Sequence, residues 1–260
     1  AVTTSLLNSL LRALLRWGAA LVFCLPLRHR PHFWARACGM LLPLLLLAQL
    51  LDPLAQSTTL WQQQLLLLAL YISFFALLGG MIYLCTDINK KGAMYCAVWS
   101  LLIAQCAYEG WCFLELQFTR YGHPLNMASP WAVLVQLLSG AVFFAAVYLL
   151  LARQLPYKGE YHIGPRQLFS AFFIGILFMV QAAVLDNFRA EQFPRSVIAT
   201  ILIGQFYFIT LLYFQSELFK KSAMEKEMNA LNLLYERQRQ QYQVARQNVQ
   251  IINKRCHELK

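Results

Sequence analysis

The sequence predicts an all-α protein: a polytopic bundle of transmembrane helices, then one long cytosolic coiled-coil helix. Three observations carry that prediction. Only 13% of the 260 residues are charged and 59% are hydrophobic, against roughly 25% charged in ordinary soluble domains. Apolar runs near the roughly 20 residues that a helix needs to cross a bilayer recur along residues 1–218. The remaining stretch, 219–260, is polar and has its own period. Met224, Met228, Leu231, Tyr235, Gln238, Tyr242, Ala245, Val249, Ile252, Cys256 and Leu259 follow one another at alternating spacings of four and three. That is a heptad seam, the pattern of a helix that supercoils against a partner. No Gly or Pro interrupts it, and Glu, Gln, Arg and Asn are assigned to its other faces.

The first apolar stretch, 6–27, carries Arg12 and Arg16 in its first half. Either the whole stretch crosses with the arginines snorkelling outward, or Ser5 to Arg16 lies flat in the interface. Basic residues before a short apolar core also resemble a signal peptide. Arg28-His29-Arg30-Pro31 follows, however, where a small-residue cleavage motif belongs, so a retained helix is expected. The second span is predicted at 33–51, closed by Asp52-Pro53. The third is 60–85, entered through Gln62, Gln63 and Gln64, and the fourth is 93–116. The fifth is 130–152 and the sixth 168–186. The seventh, 196–218, runs straight into the coiled coil. The count is seven spans, or six if the first stretch is interfacial. The chain starts at Ala rather than Met, so a processed or trimmed start is expected.

Basic residues fall in alternate loops. One side has Arg28, Arg30, Lys90, Lys91, Arg153, Lys158, Arg166, Lys220 and Lys221. The other has Arg120, Arg189 and Arg195, joined by Arg12 and Arg16 if the first helix crosses. The richer side is cytosolic by the positive-inside rule, which places the C-terminal helix in the cytosol. The formal charge of +10 therefore reports cytosolic loops and lipid contact, not nucleic-acid binding. Lys220 and Lys221 are placed at an anionic leaflet, each worth about 1 kcal/mol there. Six of the seven cysteines lie in or beside apolar runs and read as reduced, structural thiols rather than a disulfide frame or a zinc site.

Two positions stand out chemically. Glu109 lies inside the fourth span, where a carboxylate is costly unless paired, hydrated or protonated, and is a candidate for ligand sensing. Gln62, Gln63, Gln64, Glu109, Glu115, Asp186 and Arg189 are candidates to line one outward polar mouth. The second position is His257. Cys256 and Leu259 continue the seam, so His257 falls one residue off it and faces water. An imidazole is a usable nucleophile near neutral pH, and the adjacent carboxylate, Glu258, can take up the ring proton or fix the tautomer.

The stretch from Gln240 through Asn248-Val249-Gln250-Ile251-Ile252-Asn253-Lys254-Arg255-Cys256-His257-Glu258-Leu259-Lys260 resembles the helix entering the histidine box of bacterial sensor histidine kinases. The likeness is to the Firmicutes-type group with a polytopic sensor and a GHKL-type ATPase domain, which includes peptide quorum-sensing receptors. It implies that His257 is the phospho-acceptor and Glu258 its acid/base neighbour, in a homodimer that passes phosphate to a response regulator. It further implies a bacterial plasma-membrane location, and ATP with Mg in the full-length kinase. The given residues stop at Lys260, before the family's second dimerisation helix and ATP-binding domain. The expectation is a sensor and signalling helix of a longer protein, or a truncated relative, with no cofactor of its own. Two other functions are weighed beside it. One is a transporter or channel with an oligomerisation helix, although no Gly/Pro-interrupted spans recur in paired halves. The other is a non-catalytic scaffold.

Overall fold

A computed structural model describes the chain apart from residue 1 and residues 57–59, 121–129, 154–162, 189–194 and 259–260. It also leaves aside the side chains of 2–5, 51–56, 60–61, 63–64, 120, 183–188, 195–198 and 257–258. The chain divides into two compact units, 1–214 and 215–260. Among the described residues both are helical, with one isolated β-bridge, His29 to Thr86, as the only extended pairing.

The helices are α1 (Val2–Cys24), α2 (Phe33–Gly39), α3 (Leu41–Gln56), α4 (Leu60–Cys85), α5 (Lys90–Arg120), α6 (Pro130–Val147), α7 (Pro165–Phe188) and α8 (Arg195–Glu258). Among the described residues, seven stretches are long and apolar enough to cross a membrane, the first being Leu6–Cys24 and the second Phe33–Leu50.

Several boundaries differ from the sequence prediction for identifiable reasons. The second predicted span is two helices that meet at Met40. Pro43 has no N–H to donate to the Gly39 carbonyl four residues back, and its ring crowds that carbonyl. The apolar stretch ends at Leu50, before Asp52-Pro53, but the helix does not, because α3 continues to Gln56. The helix of the fourth predicted span, α5, is longer than predicted at both ends. Its start is capped by Asn89, whose Oδ1 accepts from the Gly92 backbone N–H at 2.7 Å. The fifth ends in a π turn, Tyr148–Ala152, in which the Arg153 N–H reaches the Tyr148 carbonyl at 3.1 Å.

Within the first unit, α5 is the most buried of the apolar stretches and packs against α1, α4, α6 and α7. Trp99 on α5 is fully buried and meets Phe23 of α1 with ring centroids 6.0 Å apart. Arg12 meets Tyr108 and Phe23 meets Trp99, so α1 and α5 are antiparallel along their length. The ends of α1 and α4 are tied together. The Arg30 N–H donates to the Cys85 carbonyl at 3.0 Å, and the Asp87 N–H to the Arg28 carbonyl at 2.9 Å. Arg36 on α2 adds a hydrogen bond to the Leu84 carbonyl at 2.8 Å. The basic segments around residues 28–30 and 90–91 therefore share one end of the bundle.

The outward arginines expected on the first helix are a correction. Arg16 is buried, with its guanidinium 3.9 Å from the centroid of Phe74 on α4. Arg12 donates to the Tyr108 hydroxyl at 2.7 Å. Hydropathy registers that a span contains charge but not which way the charge points. Here Ser9, Arg12 and Arg16 share one face of α1 by their three- and four-residue spacing, and that face is turned inward.

Candidate functional site

Three helices build a polar cluster inside the apolar unit. From α1 come Arg12 and Arg16; from α4, Tyr71 and Phe74; from α5, Gln105, Tyr108 and Glu109. The last three share a face, being three and four residues apart. Glu109 is 2% exposed and accepts from Gln105 Nε2 at 3.0 Å. The Gln105 carbonyl oxygen in turn accepts from the Tyr71 hydroxyl at 3.4 Å. Arg12 lies over the Tyr108 ring, 4.8 Å from its centroid, besides bonding its hydroxyl. A small gap between Arg12, Arg16, Tyr71, Gln105 and Tyr108 has a free volume of about 10 Å³, room for about one water. The cluster is thus an interior network of guanidinium, phenol, amide and carboxylate groups rather than a ligand chamber.

Glu109 does not line the outward mouth for which it was a candidate, because almost none of its surface is accessible. Gln62 is exposed and Glu115 is half-buried. Gln63, Gln64, Asp186 and Arg189 lie outside the described side chains. Sequence reasoning picked out Glu109 but missed its company. The available signal was two polar stripes at helical spacing on apolar helices: Ser9, Arg12 and Arg16 on one, Gln105, Tyr108 and Glu109 on the other.

The cluster makes a measurable prediction. Glu109→Gln keeps the shape and a hydrogen-bonding group beside Gln105 but removes the carboxylate that accepts from Gln105 Nε2. A hydrogen bond to a charged group is worth about 2 kcal/mol. The purified variant should melt several degrees lower in the same detergent, and in a signalling fusion its dose–response should shift while expression persists. An unchanged melting midpoint together with an unchanged dose–response would reduce Glu109 to a space-filling residue.

The second unit is the C-terminal part of α8. Along the seam, Met228, Leu231, Tyr235, Tyr242, Val249 and Ile252 are each more than half exposed, and Gln238, Ala245 and Cys256 are exposed as well. The single chain therefore leaves the whole described seam uncovered. Off the seam, Leu233, Leu234, Val244 and Ile251 are also more than half exposed. The flanks are accordingly less polar than the heptad reading expects. Lys220 pairs with Glu217 one turn back at 3.8 Å, a partly exposed pair of small worth. The helical backbone runs through His257 and Glu258, but their side chains lie outside those described, as does Leu259 altogether.

Compared with known proteins, the chain matches no family model, no curated protein and no solved structure.

Proposed function

We propose that the chain is the membrane sensor and signalling-helix portion of a two-component histidine kinase. The observation that supports this most is α8: one unbroken helix from Arg195 to Glu258 that starts as an apolar span and ends in an uncovered heptad seam. The resemblance of its last turns to a histidine box supplies the chemistry. In this reading the first unit is a bundle embedded in the plasma membrane. The large side chains exposed on α3, α6, the π turn after it and α7, such as Leu42, Leu46, Leu138, Leu150, Phe169 and Phe173, then face lipid. So much exposed apolar surface is foreign to a water-soluble monomer. A signal reaching the bundle shifts or rotates α8. That changes the phase of a parallel coiled-coil homodimer and the access of an ATP-bearing kinase domain to His257, from which phosphate passes to a response-regulator aspartate.

The reading is tested with this chain fused, after Lys260, to a GHKL-type kinase domain and supplied with ATP and Mg. Phosphate stable to base and labile to acid should appear and should depend on position 257. A fusion whose kinase domain is active on its own substrate yet leaves the helix unlabelled would sink the proposal.

Orientation is a separate prediction. The segments carrying Lys90, Lys158 and Lys220 should face the cytosol, and those carrying Arg120 and Arg189 the outside. Single cysteines at these places, on a cysteine-free background, should react with an impermeant thiol reagent in intact cells only at the second set. Labelling beside Lys158 and not beside Arg120 would reverse the topology.

A further inference from the structure

A second opening in the first unit, separate from the arginine–glutamate cluster, has a volume of about 280 Å³ and lies among α1, α5, α6 and the first part of α8. Its walls are mainly apolar, from Leu15, Leu114, Leu202, Phe143 and Phe206. Two glycines make room for it. A Cβ on Gly110 would meet nothing within 4 Å, and one on Gly140 would only touch Leu15 at 3.4 Å. Phe206 is 52% exposed and Leu114 37%, so the cavity opens sideways through the bundle's apolar surface.

Two polar groups in this wall have no partner. Gln136 is 4% exposed and its side-chain oxygen accepts no hydrogen bond; Trp111 is 3% exposed and its indole N–H donates none. A buried amide oxygen and a buried indole N–H each cost free energy when left unsatisfied, and native structures keep few such groups. An acceptor and a donor in one apolar cavity suit a guest that offers the complementary pair: a hydroxyl or an amide on a short hydrocarbon. An apolar cavity of roughly 150 Å³ takes up benzene, six carbons, so this one has room for roughly eleven non-hydrogen atoms. It stands at the small end of ligand pockets. Among the described residues no charged side chain lines it, which favours an uncharged guest.

We propose that this cavity binds a small uncharged amphiphile, about the size of an eight-carbon alcohol or amide, entering from the apolar surroundings of the bundle. The polar end sits beside Gln136 and Trp111, whose amide oxygen and indole N–H are covered in the empty cavity and turn toward it on binding, and the hydrocarbon lies against Leu15, Phe143 and Phe206. The binding site stands without the kinase reading, since it needs only the first unit.

The test uses the full chain reconstituted in phosphatidylcholine nanodiscs with a diazirine-bearing 1-octanol as probe, irradiated and mapped by peptide mass spectrometry. Labelling should be saturable and centred on residues 106–114, 136–143 and 202–206. At equal membrane-phase mole fraction, 1-octanol should displace it about 10-fold more effectively than n-octane, as two buried hydrogen bonds at the polar end together require. Gly110→Leu fills the cavity and should abolish saturable labelling while its melting temperature holds or rises. Gln136→Leu should retain labelling but bring octanol and octane within about threefold of each other, Trp111 alone then meeting the hydroxyl. Equal displacement by both competitors in the unmodified protein would mean that lipid tails fill a greasy gap, and would overturn the proposal. So would unsaturable labelling spread over α3. Should Gly110→Leu fail to purify, the competition in the unmodified protein decides alone.

Discussion

Leu231→Asp combined with Ile252→Asp should abolish disulfide cross-linking through a cysteine at position 245, in a background where Cys256, itself on the seam, is serine. All three positions belong to the same heptad row, and both apolar side chains are about 60% exposed in the single chain. Their burial must therefore come from a partner if it comes at all. Fully burying a Leu or Ile side chain is worth about 2 kcal/mol, and a dimer loses four of them, about 8 kcal/mol. By affinity arithmetic that is on the order of 10⁶-fold in association, before the repulsion between facing carboxylates is added. Membrane anchoring raises the effective concentration of the helices, but not by enough to offset such a loss. Aspartates at Gln240 and Gln247, on the far side of the helix, should leave cross-linking intact. The apolar residues off the seam supply the opposing outcome. If Val244→Asp with Ile251→Asp stops cross-linking and the seam pair does not, α8 packs through its other stripe.

What the sequence shows and what it hides follow from how each kind of information is coded. Continuous apolar runs mark helices directly, so the third predicted span, 60–85, coincides with α4. Boundaries set by single side chains were less visible. Pro43 breaks a leucine-rich run that hydropathy reads as uniform, while Pro53, in the same kind of run, breaks nothing. The direction of a charged side chain is hidden altogether in a single hydropathy trace. Arg16 lies against Phe74 because the face it shares with Ser9 and Arg12 is turned inward, and only the spacing of those three polar residues hinted at it. Glu109 was conspicuous as a carboxylate in an apolar helix, yet its partner Gln105 is an ordinary glutamine until its four-residue offset from Glu109 is noticed. The amphiphile cavity was illegible for a stronger reason. Leu15, Trp111, Gln136 and Phe206 come from four helices far apart in the chain. Nothing local in any of them announces an unpaired indole or amide.

His257→Gln, in this chain fused to a GHKL-type kinase domain, should eliminate phosphohistidine and leave the dimer intact. Three lines of reasoning select this residue. The heptad row continues through Cys256 and Leu259, so position 257 projects off the seam, where an ATP-bearing domain has access to it. Glu258 follows directly and is suited to receive the proton that the ring nitrogen gives up as it attacks phosphorus. The surrounding residues resemble a histidine box. Of the remaining histidines, His29 and His32 stand in the connection between α1 and α2, and His123 and His162 lie outside the described residues. Glutamine keeps the helix-forming character of the site and lies off the seam, so association should change little. Glu258→Gln keeps the nucleophile but removes the proton acceptor, and general-base assistance is worth about 100-fold or more. Phosphate should still form there, with an initial rate reduced by about that factor. The chain without a kinase domain should take up no phosphate from ATP and Mg. Label that persists in the His257→Gln fusion would overturn the assignment, and label on the isolated chain would reveal a nucleotide site within its own 260 residues.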